Sequence, residues 1–119
     1  MAFRSTYLRF ENVGDVTVVN FLSKRILDKQ QIQCIGEQLF SLVEELDITK
    51  ILLNLKNVEY LSASALGKLI ELNGKVKKIN GRLAICNMSR EIYEVFEMTK
   101  LDKVFNIQQD YLTAMETFS

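Results

Sequence analysis

The chain contains no histidine, and that removes the side chain most often used as a general base near neutral pH together with the catalytic combinations built on it. Its two cysteines, Cys34 and Cys86, lie far apart in sequence, so without histidine or a close cysteine pair none of the usual zinc spacings can be drawn. Both sit in apolar settings, which reads as small core residues in a reducing compartment rather than as a disulfide framework. Net charge is missing as well. Fifteen basic residues balance fifteen acidic ones, so no overall field draws the chain to nucleic acid or to an anionic membrane, and direct nucleic-acid binding is not expected. No apolar run approaches the ~18 residues of a membrane-spanning helix, and Met1 to Tyr7 lacks the apolar core of a secretory signal. A cytoplasmic protein without membrane insertion is the expectation. No glycine-rich phosphate loop is present and no nucleophile has a base visible in sequence, so the chain reads as a non-enzyme with no catalytic residue, no metal and no cofactor. Repeats, linkers and low-complexity tracts are also lacking, which leaves one domain over residues 1–119.

What is present is ordinary for a globular protein: 48% hydrophobic and 25% charged residues place the chain away from the disordered class. At this length it can bury roughly two-thirds of its unfolded surface, so no staple is needed. Tyr7 to Val13 alternates, Gly14-Asp15 supplies a turn, and Val16 to Phe21 resumes the strand pattern, which predicts a hairpin. Leu22 to Asp28 is polar with two apolar anchors and reads as a loop. From Lys29 to Leu46 the residues Ile32, Ile35, Leu39, Leu42, Val43 and Leu46 recur at helical spacing. Gly36 within that helix costs roughly 1 kcal/mol against alanine unless close packing uses the missing side chain. Asp47 to Lys50 connects it to Ile51–Leu55, an apolar run of the kind that fits a strand buried on both faces.

Beyond residue 60 the period changes. Leu66, Leu69, Ile70, Leu72 and Val76 recur mostly at spacings of three and four, with Lys68, Glu71, Lys75 and Lys78 assigned to the wet side of an amphipathic helix. Asn80-Gly81 stops it. Lys75, Lys77 and Lys78 suit the negative end of the helix dipole, with an acidic protein partner as the other reading. Leu83 to Cys86 is a further buried strand. Ser89 caps a helix to about Met98 with Ile92, Val95 and Phe96 on one face. Leu101, Val104, Phe105 and Ile107 make a short strand or apolar tuck, and Asp110 opens a terminal helix carrying Leu112, Met115 and Phe118. Strands alternating with helices after a hairpin call for an α/β fold, mostly parallel, with right-handed crossovers. Function in such sheets lies outside the carboxyl ends of the strands.

One junction meets that condition and carries hydroxyls. Asn57 to Gly67 leads from the buried strand into the amphipathic helix, with Ser62 and Ser64 at the start, where backbone N–H groups lack intrahelical partners and the helix end is partly positive. Either serine can serve as a helix cap, and a phosphate there is also well received. Small Ala63 and Ala65 leave the hydroxyls uncrowded, and Gly67 lets another backbone or a partner approach.

The run from Leu53 to Leu69 resembles the signature segment of the STAS domain family, in particular the bacterial anti-sigma-factor antagonists, in which a strand leads through Asp-Ser-Ser/Thr-Gly-Leu-Gly into a helix. Laid on this chain, the Asp falls at Ser62, the first hydroxyl at Ala63, the second at Ser64 and the Gly at Ala65, while Leu66 and Gly67 agree. Gly81 to Ser89 is similar to the family's next strand and Glu91 to Leu101 to its following helix, so the resemblance runs from about Val16 to Thr113. It implies a single-domain STAS-like fold: an N-terminal hairpin leading into a mixed, mostly parallel sheet with helices packed against it. It also implies an anti-sigma factor with serine kinase activity as partner, release of a sigma factor, and a switch by phosphorylation at Ser64, with Ser62 second and a phosphatase to reverse it. The partner surface implied is Ser62, Ala63, Ser64, Ala65, Gly67 and Lys68, with Ser23, Lys24 and Arg25 from the neighbouring connector, which otherwise reads as a solvated loop. The alternatives are an unphosphorylated scaffold or adaptor, or a regulatory partner of a lipid or ion transporter with a groove between the central helix and the next.

Overall fold

The computed structural model describes residues 7–119, so the stretch Met1 to Tyr7, read as free of a secretory core, lies outside the described residues except for Tyr7. The hairpin forms as expected: β1 (Leu8–Val13) and β2 (Val16–Phe21) pair antiparallel with Val13 opposite Val16. Gly14 takes a positive φ of 63° in the two-residue turn, a position that costs glycine nothing. After it come β3 (Arg25–Ile26), α1 (Lys29–Glu44), β4 (Lys50–Asn54), β5 (Tyr60–Leu61), α2 (Ala63–Lys78) and β6 (Arg82–Cys86). Then follow α3 (Arg90–Met98), a 3-10 turn over Leu101–Lys103, β7 (Asn106–Gln108) and α4 (Tyr111–Glu116).

The main sheet has the order β1-β2-β4-β6-β7, with every pairing parallel except the hairpin. Its central strand is apolar on both sides: Ile51, Leu52 and Leu53 have no accessible surface. Ile51 and Leu53 join Val19, Phe21, Leu83 and Ile85 in a core closed by Leu39 and Leu42 of α1, Leu69 and Leu72 of α2, and Ile92 and Phe96 of α3. Leu52 points the other way, with Val16, Val18, Ala84 and Cys86 against Ala114 and Phe118 in the α4 region. Each fully buried side chain of this size contributes about 1.5–3 kcal/mol. Burial also pushes the Cys86 thiol up to about 11, so it stays protonated and inert.

The helix ends follow the capping chemistry. Asp28 forms a capping box with Gln31, while Ser62, Ser89 and Asp110 each accept the backbone N–H three residues on. At the end of α2, Gly81 N–H donates to Val76 O and Asn80 N–H to Lys77 O, with Asn80 left-handed at φ 57°, the pattern of a Schellman stop.

Several side chains depart from the periodic reading. The connector Leu22 to Asp28 is not simply a loop, since Arg25 and Ile26 form β3 and pair parallel with β5. Ile70, Val95 and Leu112 are exposed, because α2, α3 and α4 each bury a narrower stripe than their apolar content allows. Leu46 is exposed too, since α1 ends at Glu44 and the chain reverses at Asp47, φ 54°. Lys68 and Lys75 do not stand on the wet side. They lean across α1, with Lys68 Nζ 5.7 Å and Lys75 Nζ 5.0 Å from the Phe40 ring centroid, and Lys75 binds Glu44 at 2.7 Å. Long aliphatic stems let a lysine cover apolar surface while its ammonium stays wet. Gly36 is explained by the same contact, since a Cβ there would stand 2.9 Å from Lys68 Cδ.

At Gly81 a Cβ would lie 2.5 Å from Thr49 O and 2.9 Å from Val76 Cγ1, whereas at Gly74 it would meet nothing within 4 Å. Gly81→Ala is therefore expected to destabilise the fold by about 1–3 kcal/mol. Gly74→Ala should stabilise it by up to about 1 kcal/mol, both read from urea denaturation midpoints.

Candidate functional site

The chain leaves the sheet after Asn54, turns through Lys56 and Asn57, buries Val58, and enters β5. This two-residue strand holds the connector against the start of α2. Lys24 O accepts from Glu59 N–H at 2.7 Å and Tyr60 N–H at 3.1 Å, and Ile26 O accepts from Ser62 N–H at 3.0 Å. The Arg25 guanidinium lies 5.1 Å from the Tyr60 ring centroid, a cation–π contact that ties the two strands on their outer side. The connector and the hydroxyl-bearing turn are thus one surface, as their resemblance to the family implied.

Within it the two serines have different jobs. Ser62 is the N-cap of α2: its Oγ accepts from Ala65 N–H at 3.2 Å, and its carbonyl accepts from Leu66 N–H at 2.9 Å. Ser64, two residues into the helix numbering from that cap, is exposed, and its hydroxyl makes no hydrogen bond to any described residue. The N–H groups of Ala63 and Ser64 likewise have no acceptor among the described residues, so the positive end of the α2 dipole is open beside the free hydroxyl.

Of the remaining residues named from sequence, Ala63, Gly67, Lys24 and Arg25 are exposed, and Ser23 and Lys68 are half-buried. Ala65 is turned inward at 5% exposure, where it lines the core with Ile32 and Leu69, so it adds no side chain to the surface. Gly67 faces open space, since a Cβ there would meet nothing within 4 Å. No internal packing requires its missing side chain, and the backbone is bare on the outer face of the helix. A hollow of about 130 Å³ lies between β5 and α3, lined by Glu59, Tyr60, Leu61, Glu91, Ile92, Val95 and Phe96; no residue of α2 lines it, so it is not the groove expected between the central helix and the next.

Sequence reasoning missed a chain of amides beneath this surface. Asn20 Nδ2 donates to Glu11 Oε1 at 2.7 Å, Asn54 Nδ2 to Asn20 Oδ1 at 2.9 Å, and Asn87 Nδ2 to Asn54 Oδ1 at 3.0 Å. Asn54 Oδ1 also accepts from Lys56 N–H at 3.1 Å, so the ladder holds the turn that leads to the site. The available signal was that Asn20 and Asn54 each stand at or next to the carboxyl end of an apolar run. Among the described residues no three carboxylate or thiol groups gather where a metal would sit, and no helix is long and apolar enough to cross a membrane.

Comparison with known proteins bears on the family and the fold. The STAS domain model matches residues 7–114. An anti-sigma F factor antagonist from Paenibacillus polymyxa is 25% identical over 92 residues, which cover 75% of this chain and 76% of the relative. Among solved structures, an anti-sigma-factor antagonist (STAS) domain protein from Planctomyces limnophilus superposes with a TM-score of 0.84 at 22% identity, over 98% of this chain and all of that one. The Bacillus cell fate determinant SpoIIAA in its phosphorylated form gives a TM-score of 0.73 at 17% identity, over 94% of this chain and 99% of that one. The α/β fold with a mixed, mostly parallel sheet is the fold these structures share with the chain.

The division between the serines has a measurable consequence. Ser62→Ala should cost about 1 kcal/mol through loss of the cap. Ser64→Ala should stay within about 0.5 kcal/mol of the parent protein in the same denaturation experiment.

Proposed function

This chain belongs to the STAS domain family, and on that footing we propose that it is an anti-sigma-factor antagonist acting in the cytoplasm. It binds an anti-sigma factor that is also a serine kinase and so frees a sigma factor, until phosphorylation of Ser64 ends the binding and a phosphatase restores it. The observation that carries this reading is the exposed, unbonded Ser64 hydroxyl beside two free amides at the start of α2.

Phosphorylation adds about 1.5–2 negative charges. The helix start receives them well, through the free N–H groups and the dipole. A partner surface pressed against the same spot does not, because a newly placed dianion must be desolvated and repels any nearby carboxylate. Because Ser62 supplies the cap, modification of Ser64 leaves the cap hydrogen bond in place. The docking surface in this reading is formed by Ala63, Ser64 and the bare backbone at Gly67, flanked by Ser23, Lys24 and Arg25. Lys68 lies at its edge, and the chain itself performs no catalysis.

The name of the Paenibacillus polymyxa relative and the phosphorylated state of SpoIIAA support the proposal. One observation favours the second reading, an adaptor that is not phosphorylated: Ala63 and Ala65 stand where the family pattern has a hydroxyl and a glycine.

Incubation with the cognate anti-sigma factor and ATP should add one phosphate by intact mass, mapped to Ser64 and lost in Ser64→Ala. An unchanged mass alongside tight binding would leave only the adaptor. In a calorimetric titration, Ser64→Asp should weaken binding about tenfold or more, equivalent to about 1.4 kcal/mol, with an unaltered circular dichroism spectrum. Undiminished affinity would remove this turn from the contact surface.

A further inference from the structure

At the opposite end of the strands, by the amino ends of β6 and β7, lies a second cavity of about 230 Å³. It falls below the roughly 300–1,000 Å³ of pockets for drug-sized ligands, so its occupant is small. Asn73 of α2 lines it at 6% exposure, and the carboxamide makes no hydrogen bond to any described residue. A side-chain amide carries two donors and an acceptor, and here neither polar atom is sealed from solvent, so the amide is open to an occupant of the cavity.

Two cations share the cavity wall. Lys77 and Arg82 form no ion pair among the described residues, and no carboxylate lines the cavity. Arg82 Nη1 donates to Thr117 O at a long 3.4 Å, and the other N–H groups of the guanidinium have no acceptor among the described residues. The rest of the wall is largely apolar, supplied by Val76, Leu83 and Phe118. A planar guanidinium fork matches a carboxylate, the amide adds a donor beside it, and the apolar side takes up an alkyl chain.

We propose that this cavity, lined by the unpartnered Asn73 amide and the unpaired Arg82 and Lys77 together with an apolar wall, binds a small carboxylate with a short aliphatic tail. The site is separate from the Ser64 surface and does not depend on the function proposed for it.

Hexanoate titrated into the ¹⁵N-labelled full chain tests this. The Asn73 side-chain amide and the Gly81 and Asn106 backbone amides should shift saturably, while 1-hexanol and inorganic phosphate leave them in place. Arg82→Gln should weaken the interaction about tenfold or more, as expected for loss of one charge-assisted hydrogen bond. Asn73→Leu should lose affinity to the same degree with an unaltered circular dichroism spectrum, because it removes the amide donor beside the guanidinium. The proposal is overturned if the resonances do not saturate, as in a cavity that holds water only, or if hexanol or phosphate moves them equally. It is overturned too if Arg82→Gln or Asn73→Leu binds as well as the parent.

Discussion

The architecture depends on β4 being buried on both faces. With Ile51, Leu52 and Leu53 fully enclosed, one face of the strand must be covered by α1 and α2 and the other by α4, which dictates a layered fold. It also forbids chemistry along the strand itself, since any polar group there would need a buried partner. Useful groups can only be offered where the chain leaves the sheet. After Asn54 it does so, and α2 starts with its first turn at the surface.

That exit needs a second support, because a helix start hung on a free loop would not hold its hydroxyls in place. The pairing of β3 with β5 supplies it. Two residues from each strand are enough, since their hydrogen bonds continue into Glu59 on one side and Ser62 on the other. Connector and helix start are therefore tied together, which sets Lys24, Arg25 and Ser64 in a fixed relation. The helix cap belongs to this frame through Ser62, which donates its N–H to Ile26 and accepts from Ala65.

Much of this was legible in the residues. Strands β1, β2, β4 and β6 follow directly from alternating or continuous apolar runs, and the caps at Ser89 and Asp110 from side chains that compete well for free N–H groups. The choice between Ser62 and Ser64 was not legible, because either hydroxyl suits a helix start and only the backbone geometry assigns the cap. Nor was β3, since two residues are too short to show a period. Lys68 and Lys75 misled for another reason: a charge marks where an ammonium ends, not where its four-carbon stem lies. The exposure of Val95 and Ile70 shows the same limit from the apolar side, as spacing finds a face but not its width. The partner proposed for the Ser64 surface was not legible, because recognition depends on complementarity to a second chain and one sequence carries only half of that.

The row of amides from Asn20 through Asn54 to Asn87, anchored on the Glu11 carboxylate, bears on how the sheet chooses its alignment. Where a strand is oily on both sides, sliding it by one position still buries oil against oil, so burial alone discriminates poorly between the right and the shifted arrangement. Carboxamides do not tolerate that ambiguity. A one-position slide of β4 would swing Asn54 onto the α1–α2 face and break its links to both Asn20 and Asn87 together. The ladder thus acts as a vernier for the central strands, and whatever sits at the end of β4 inherits its position from that alignment.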